Sequence, residues 1–204
     1  IPDSVVSLGE YAFASNIELS SVFIGNGLIE IPSYAFTECV LLTEIEIPSG
    51  IVSIGYSAFL RSGLTKVTFA ENSNLVSISE FAFSNCKIAE IAFPDSLVEI
   101  GGYAFRHNPL ANISFGENSN LRVIGASAFE SCNLHKEVSL PSKLEVIGDF
   151  AFAFTSLEAV TIPASVTEIG TGVFGGCTSL TTIEVETMNT QYKSINGVLF
   201  NNNG

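Results

Sequence analysis

Eight phenylalanines fall at nearly even intervals along the chain, and that regularity limits its possible folds more than any other feature. They are Phe13, Phe36, Phe59, Phe83, Phe105, Phe129, Phe152 and Phe174, separated by 23, 23, 24, 22, 24, 23 and 22 residues. Alanine precedes the first seven and Val173 the eighth. Five residues before each stands an aliphatic side chain: Leu8, Ile31, Ile54, Ile78, Ile100, Ile124, Ile147 or Ile169. A spacing that admits no insertion means that both side chains enter one close-packed interior. Self-similarity at such a period marks a solenoid, whose repeats bury their apolar sides against one another. The chain therefore reads as one array of about eight repeats over residues 1–187. Residues 188–204 depart from the pattern and are expected to form a capping hairpin or a tail, the hairpin suggested by Asn196-Gly197 between apolar residues.

Within a repeat, the aliphatic closes a V/L/I-x-x-I/L pair, as in Leu97-Ile100 and Leu144-Ile147, and is usually followed by glycine, as at Gly125 and Gly148. Glycine there serves a positive φ or a close backbone approach. After the phenylalanine comes L-x-x-I-x-I, seen in Leu42, Ile45 and Ile47 and in Leu157, Val160 and Ile162. Its last two apolar positions alternate at period two, which predicts a short half-buried strand. Proline often ends it, at Pro48, Pro94, Pro141 and Pro163, where the missing N–H stops a ladder. The expected repeat is strand, corner, second short strand, glycine, then a helical turn carrying Ala-Phe. Neither strand can satisfy its backbone within its own repeat, so each must pair in parallel with its equivalent one repeat along. Two corners carry the same insert, Glu71-Asn72-Ser73-Asn74 and Glu117-Asn118-Ser119-Asn120, expected in surface loops.

Composition narrows the function classes. Hydrophobic residues make up 47% and charged residues 14%, too apolar for disorder, yet polar residues interrupt every apolar run before a membrane-spanning length of about 18 residues. The reading is a water-soluble chain without a transmembrane segment. A net charge of −13, from 21 acidic and 8 basic residues, repels phosphate backbones and argues against nucleic acid as a partner. The opening Ile1-Pro2-Asp3 matches the middle of a repeat and has no signal-peptide character, so a fragment or processed chain is expected.

The unit Ile162-Pro163-Ala164-Ser165-Val166 through Ile169-Gly170, Val173-Phe174, Cys177 and Leu180 resembles the BspA-like leucine-rich repeats of bacterial surface proteins. The terminal Gly197-Val198-Leu199-Phe200 is similar to the segment that closes such arrays. Departures are local: Pro32 and Ser79 replace the glycine, and His135 to Glu137 contain one extra residue before Val138. The resemblance implies a repeat solenoid, a leucine-rich-repeat-like right-handed β/α superhelix with short parallel β-strands and short helical turns. It also implies a cell-surface or secreted location and adhesion to host proteins or other cells.

The reactive side chains are few. Cys39, Cys86, Cys132 and Cys177 each stand three residues after a repeat phenylalanine, in alternate repeats, with Asn16, Ser62, Asn108 and Thr155 in the same place in the others. Successive cysteines would lie roughly 10 Å apart, beyond the ~7 Å reach of a disulfide, so four free interior thiols bonded weakly to backbone are expected. Cys132 and His135 have the spacing of a nucleophile and base, but Cys132 occupies an inward slot. The two histidines, His107 and His135, lie in different repeats without ligand clusters at metal spacing. Glu44 and Glu46 should project from one sheet face ~7 Å apart, within the range of glycosidase pairs, yet no deep pocket is expected to separate their acidities. No catalytic residue, metal or cofactor is assigned.

The remaining candidate is the outward residue between the two buried positions of each longer strand: Phe23, Glu46, Thr68, Ala92, Ser114, Ser139, Thr161 and Glu184. Five consecutive members, Thr68 to Thr161, are small and uncharged, which leaves a flat strip that another surface can approach. The leading expectation is a non-catalytic recognition module that binds a protein or glycan on a host or neighbouring cell through this face. A passive spacer within a larger surface protein is the second reading, and a glycan-active enzyme the third.

Overall fold

The computed structural model describes residues 1–202; Asn203 and Gly204 lie outside the described residues. Strands are numbered in chain order. Short two-residue strands, β1 (Glu30–Ile31), β3 (Ser53–Ile54), β5 (Ser77–Ile78), β7 (Glu99–Ile100), β9 (Val123–Ile124), β11 (Val146–Ile147) and β13 (Glu168–Ile169), form one parallel seven-stranded sheet. Its register sets each invariant isoleucine beside the next, from Ile31 opposite Ile54 to Ile147 opposite Ile169. The longer strands are β2 (Glu44–Ile47), β4 (Lys66–Phe69), β6 (Glu90–Phe93), β8 (Asn112–Phe115), β10 (His135–Ser139), β12 (Ser156–Ile162) and β14 (Thr182–Val185). They too pair in parallel, as the one-repeat pairing rule requires.

Between the two strand sets runs the interior column. The eight phenylalanines stack in sequence, with centroids 5.1 to 6.0 Å apart and planes within 15°. Phe36 through Phe152 are fully buried, whereas Phe13 and Phe174, with one stacked neighbour each, are half-buried. Offset stacking at this spacing satisfies the ring quadrupoles and keeps every repeat at the same thickness as the strand ladders.

The Ala-Phe segment is not the expected helical turn, and no helix occurs among the described residues. It is instead a succession of tight turns in which the residues two before and two after each phenylalanine take a φ between 52° and 73°. The reason lies in where the N–H groups go. Tyr34, Phe36 and Glu38 donate to the carbonyls of Tyr56, Ala58 and Leu60 one repeat along, at 2.9, 2.7 and 2.8 Å, while Ala35 and Thr37 close tight turns onto Pro32 and Tyr34. A helix would turn all of these donors onto its own chain and leave the neighbouring repeat unbonded. Glycine before this segment answers a different need. A Cβ on Gly148 would lie 2.5 Å from the Ala126 nitrogen, and one on Gly125 2.6 Å from the Gly102 nitrogen, so close approach of backbones requires it.

Irregularities in the sequence reappear as irregularities in the ladders. The longer strands form three separate sheets, β2-β4, β6-β8 and β10-β12-β14. Both breaks follow a strand whose corner carries the four-residue insert. The inserts are tied down by Asn74 and Asn120, whose N–H groups donate to Ser49 and Asp95 in the preceding repeat. The extra residue at His135–Glu137 becomes a bulge between Lys136 and Glu137, with Lys136 at φ 62°.

At the far end β15 (Tyr192–Ile195) and β16 (Val198–Asn201) form an antiparallel hairpin around Asn196 and Gly197, both at positive φ. It is pinned to the last repeats: Ser194 Oγ donates to the Ile183 carbonyl, Ile183 N–H donates to the Gly197 carbonyl, and the Tyr192 hydroxyl accepts from Ile169 N–H. No helix is long and apolar enough to cross a membrane among the described residues.

Candidate recognition face

Alternation along the longer strands decides which side chains face water. In β2 the order is exposed Glu44, buried Ile45, exposed Glu46, buried Ile47, and the same alternation recurs in β4 and β6. Seven members of the outward row are exposed and Thr161 is half-buried, with its hydroxyl 3.2 Å from Glu137 Oε1. Register aligns them as expected within each sheet: Glu46 opposite Thr68, Ala92 opposite Ser114, and Ser139, Thr161 and Glu184 in succession. The ladder breaks divide the row into these groups. Phe23 lies outside any strand and is 73% exposed, an unusual state for a phenylalanine.

The break between β4 and β6 gives the face its relief. A groove of about 440 Å³ opens there, with Thr68, Ala92 and Ser114 along it and Lys66, Glu90 and Asn112 beside them. Phe69 and Ala92 also border a second hollow of about 370 Å³, closed by Asn72 and Ser73 of the insert. Three of the small row residues thus line a shallow depression. No sequence signal announced the depression itself.

The cysteines face the interior, whereas the other candidate reactive side chains lie at the surface. All four cysteines are free, and each thiol donates to the carbonyl of the preceding repeat's phenylalanine: Cys39 to Phe13, Cys86 to Phe59, Cys132 to Phe105 and Cys177 to Phe152, at 3.1 to 3.2 Å. Burial pushes the Cys86 and Cys132 thiols up to about 12, and raises Cys39 as well. A neutral, buried Cys132 has no thiolate to offer, and His135 is exposed with Nδ1 near the Asn133 carbonyl. Glu44 and Glu46 are both exposed on the open face. Among the described residues no group of three or more His, Cys, Asp or Glu is arranged to hold a metal ion.

The thiols provide a direct check. Without reductant, the unfolded chain should release four titratable thiols, and the native chain should be alkylated first at half-buried Cys177, as read by peptide mass spectrometry. A raised folded-state thiol pKa stabilises the fold fully below the unfolded value near 9.0, and this contribution is lost as pH climbs toward about 12. The stability advantage of the native chain over Cys132→Ser should therefore shrink between about pH 9 and pH 11 in urea titrations.

Comparison with known proteins agrees with this architecture. The chain matches the family model of the BspA-type leucine-rich-repeat region, in six copies, over residues 1–111, 64–181 and 98–203. Among solved structures it is similar to the pneumococcal vaccine antigen PcpA, at 30% identity and a TM-score of 0.59, over 90% of this chain and 43% of that one. It is also similar to a leucine-rich cell-surface protein of Faecalibacterium prausnitzii A2-165, at 21% identity and a TM-score of 0.60, over 85% and 46%. The leucine-rich-repeat protein TpLRR of T. pallidum aligns at 26% identity and a TM-score of 0.50, over 78% of this chain and 64% of that one. The chain thus spans less than half the length of the first two. No curated protein matches it in sequence. With the fixed internal spacing, the unbroken one-repeat pairing of the short strands and a family match over residues 1–203, the chain belongs to the BspA-type leucine-rich-repeat family.

Proposed function

We propose that the chain is a non-catalytic recognition module of a bacterial cell-surface or secreted protein, which binds a protein or glycan on a host or neighbouring cell through the face of the longer strands. Residues 1–187 would form the recognition array, and 188–204 would close it. The observation that carries this reading is the groove at the β4–β6 break. Thr68, Ala92 and Ser114 let a partner approach the backbone closely there, while Lys66, Glu90 and Asn112 offer charge of both signs and an amide beside it. A concave site with few, convergent polar groups is where a repeat surface gains selectivity.

The test is to immobilise the chain and screen extracellular-matrix proteins and glycans. For any binder found, Thr68→Arg, Ala92→Arg and Ser114→Arg should each weaken binding by at least about tenfold, or roughly 1.4 kcal/mol. Unchanged affinity in all three would overturn the assignment of this face, and no binder at all would favour the spacer.

A further inference from the structure

The first five repeats carry a second exposed surface, on the short-strand sheet and the adjoining Ala-Phe edge. Its first row is the outward residue inside each V/L/I-x-x-I/L pair: Val6, Ile29, Val52, Val76 and Val98. Val6 is 72% exposed, Ile29 67%, and Val52 and Val76 42% each, while Val98 is half-buried. Ile29, Val52, Val76 and Val98 stand side by side, because Val52 N–H donates to the Ile29 carbonyl, Val76 to Val52 and Val98 to Val76, at 2.8 to 2.9 Å. In the next repeats the same position is Arg122, Glu145 and Thr167, and Arg122 pairs with Glu145. The position therefore accepts charge readily. Five consecutive aliphatic residues at a site that tolerates arginine are not imposed by the fold, and contiguous exposed apolar surface marks an interaction site.

A second row runs along the same five repeats. Tyr11, Tyr34, Tyr56, Phe81 and Tyr103 form an unbroken chain of ring contacts, 4.5 to 5.7 Å between centroids, and the sixth repeat interrupts it with Ser127. Arg106 lies 5.6 Å from the centre of Tyr103, so the last ring already takes a guanidinium. Glu10, Glu30, Glu80 and Glu99 are exposed beside the rows. The first 60 residues hold seven acidic residues and no lysine or arginine.

Charge selects the occupant. A second copy would bring the same uncompensated carboxylates against this rim, and an anionic surface would be repelled. We propose that the aliphatic and aromatic rows of the first five repeats dock a cationic amphipathic polypeptide, one that sets aliphatic side chains on the valine row and lysine or arginine against the glutamates and rings. This surface is separate from the longer-strand face.

The whole chain can be titrated, by fluorescence anisotropy at physiological ionic strength, into a labelled amidated peptide alternating lysine and leucine, with lysine–serine and glutamate–leucine peptides as counterparts. The lysine–leucine peptide should bind at least about tenfold more tightly than either counterpart. The triple change Ile29→Thr, Val52→Thr, Val76→Thr keeps β-branched residues in place and should cost at least about tenfold, as should Val76→Arg alone, whose arginine has a precedent at Arg122. Thr68→Arg should leave this binding unchanged. Equal binding of the lysine–serine peptide, or full affinity in both valine-row variants, would overturn the proposal. So would a loss of binding in Thr68→Arg, or dimerisation or phosphatidylcholine-vesicle binding that the triple variant abolishes, the last two reassigning the surface to a second copy or a bilayer.

Discussion

Phe105→Ala should lower folding stability by about 3–5 kcal/mol, the largest loss expected from truncating one side chain of the column. Phe105 is fully buried between Phe83 and Phe129, at centroid distances of 5.2 and 5.6 Å, with Phe93 edge-on at 5.5 Å. Removing the ring opens a cavity walled by three other rings, each fixed by its own repeat and unable to collapse inward. The same change at half-buried Phe13, which stacks on Phe36 alone, should cost about half as much or less. Urea unfolding of the two variants measures the difference. Equal losses would contradict the idea that each repeat is stabilised by its immediate neighbours.

Asn108→Leu is expected to be comparably damaging although it adds no cavity. Asn108 is 2% exposed; its Nδ2 donates to the Phe83 and Phe105 carbonyls at 2.8 and 2.9 Å, and its Oδ1 accepts from Ile88 N–H at 3.0 Å. Leucine fills similar space and satisfies none of the three. The Phe105 carbonyl keeps the Cys132 thiol as a donor, so two backbone groups are left buried and unpaired, and at about 1–3 kcal/mol each the total is roughly 2–6 kcal/mol. Asn108→Cys should cost distinctly less, since the repeats on either side already use Cys86 and Cys132 there to bond one phenylalanine carbonyl each. If leucine and cysteine proved equally harmful, side-chain shape and not hydrogen bonding would govern the slot.

The interior was legible in the sequence because packing leaves a period. The fixed five-residue interval from Ile100 to Phe105 and its counterparts identified both partners of the column, and L-x-x-I-x-I located the longer strands with their inward and outward sides. The inward slot of the four cysteines was legible for the same reason, since it keeps a constant distance from each phenylalanine. The Ala-Phe edge was not. Tyr, Phe, Ser, Glu, Arg and His occupy most of its positive-φ positions, with asparagine only at Asn85 and glycine only at Gly172 and Gly176, so no consistent propensity signal distinguishes it from a helical turn. What decides that conformation is the row of carbonyls on the adjoining repeat, which a local reading does not see. The groove beside Thr68 escaped notice likewise: the insert at Glu71 to Asn74 was plain in the sequence, but the absence of a ladder between β4 and β6 was not.

Those left-handed residues bear on how the array can form. Each costs about 1–2 kcal/mol in isolation, and bonds made across to an adjoining copy of the unit offset that cost. A solitary unit has no means of holding its own outline. Order must therefore begin with at least two units in register and then spread outward by templating, each added length of chain being shaped by the one already set. Growth of this kind favours gain or loss of whole periods, since a partial period would present donors where the template holds no acceptors.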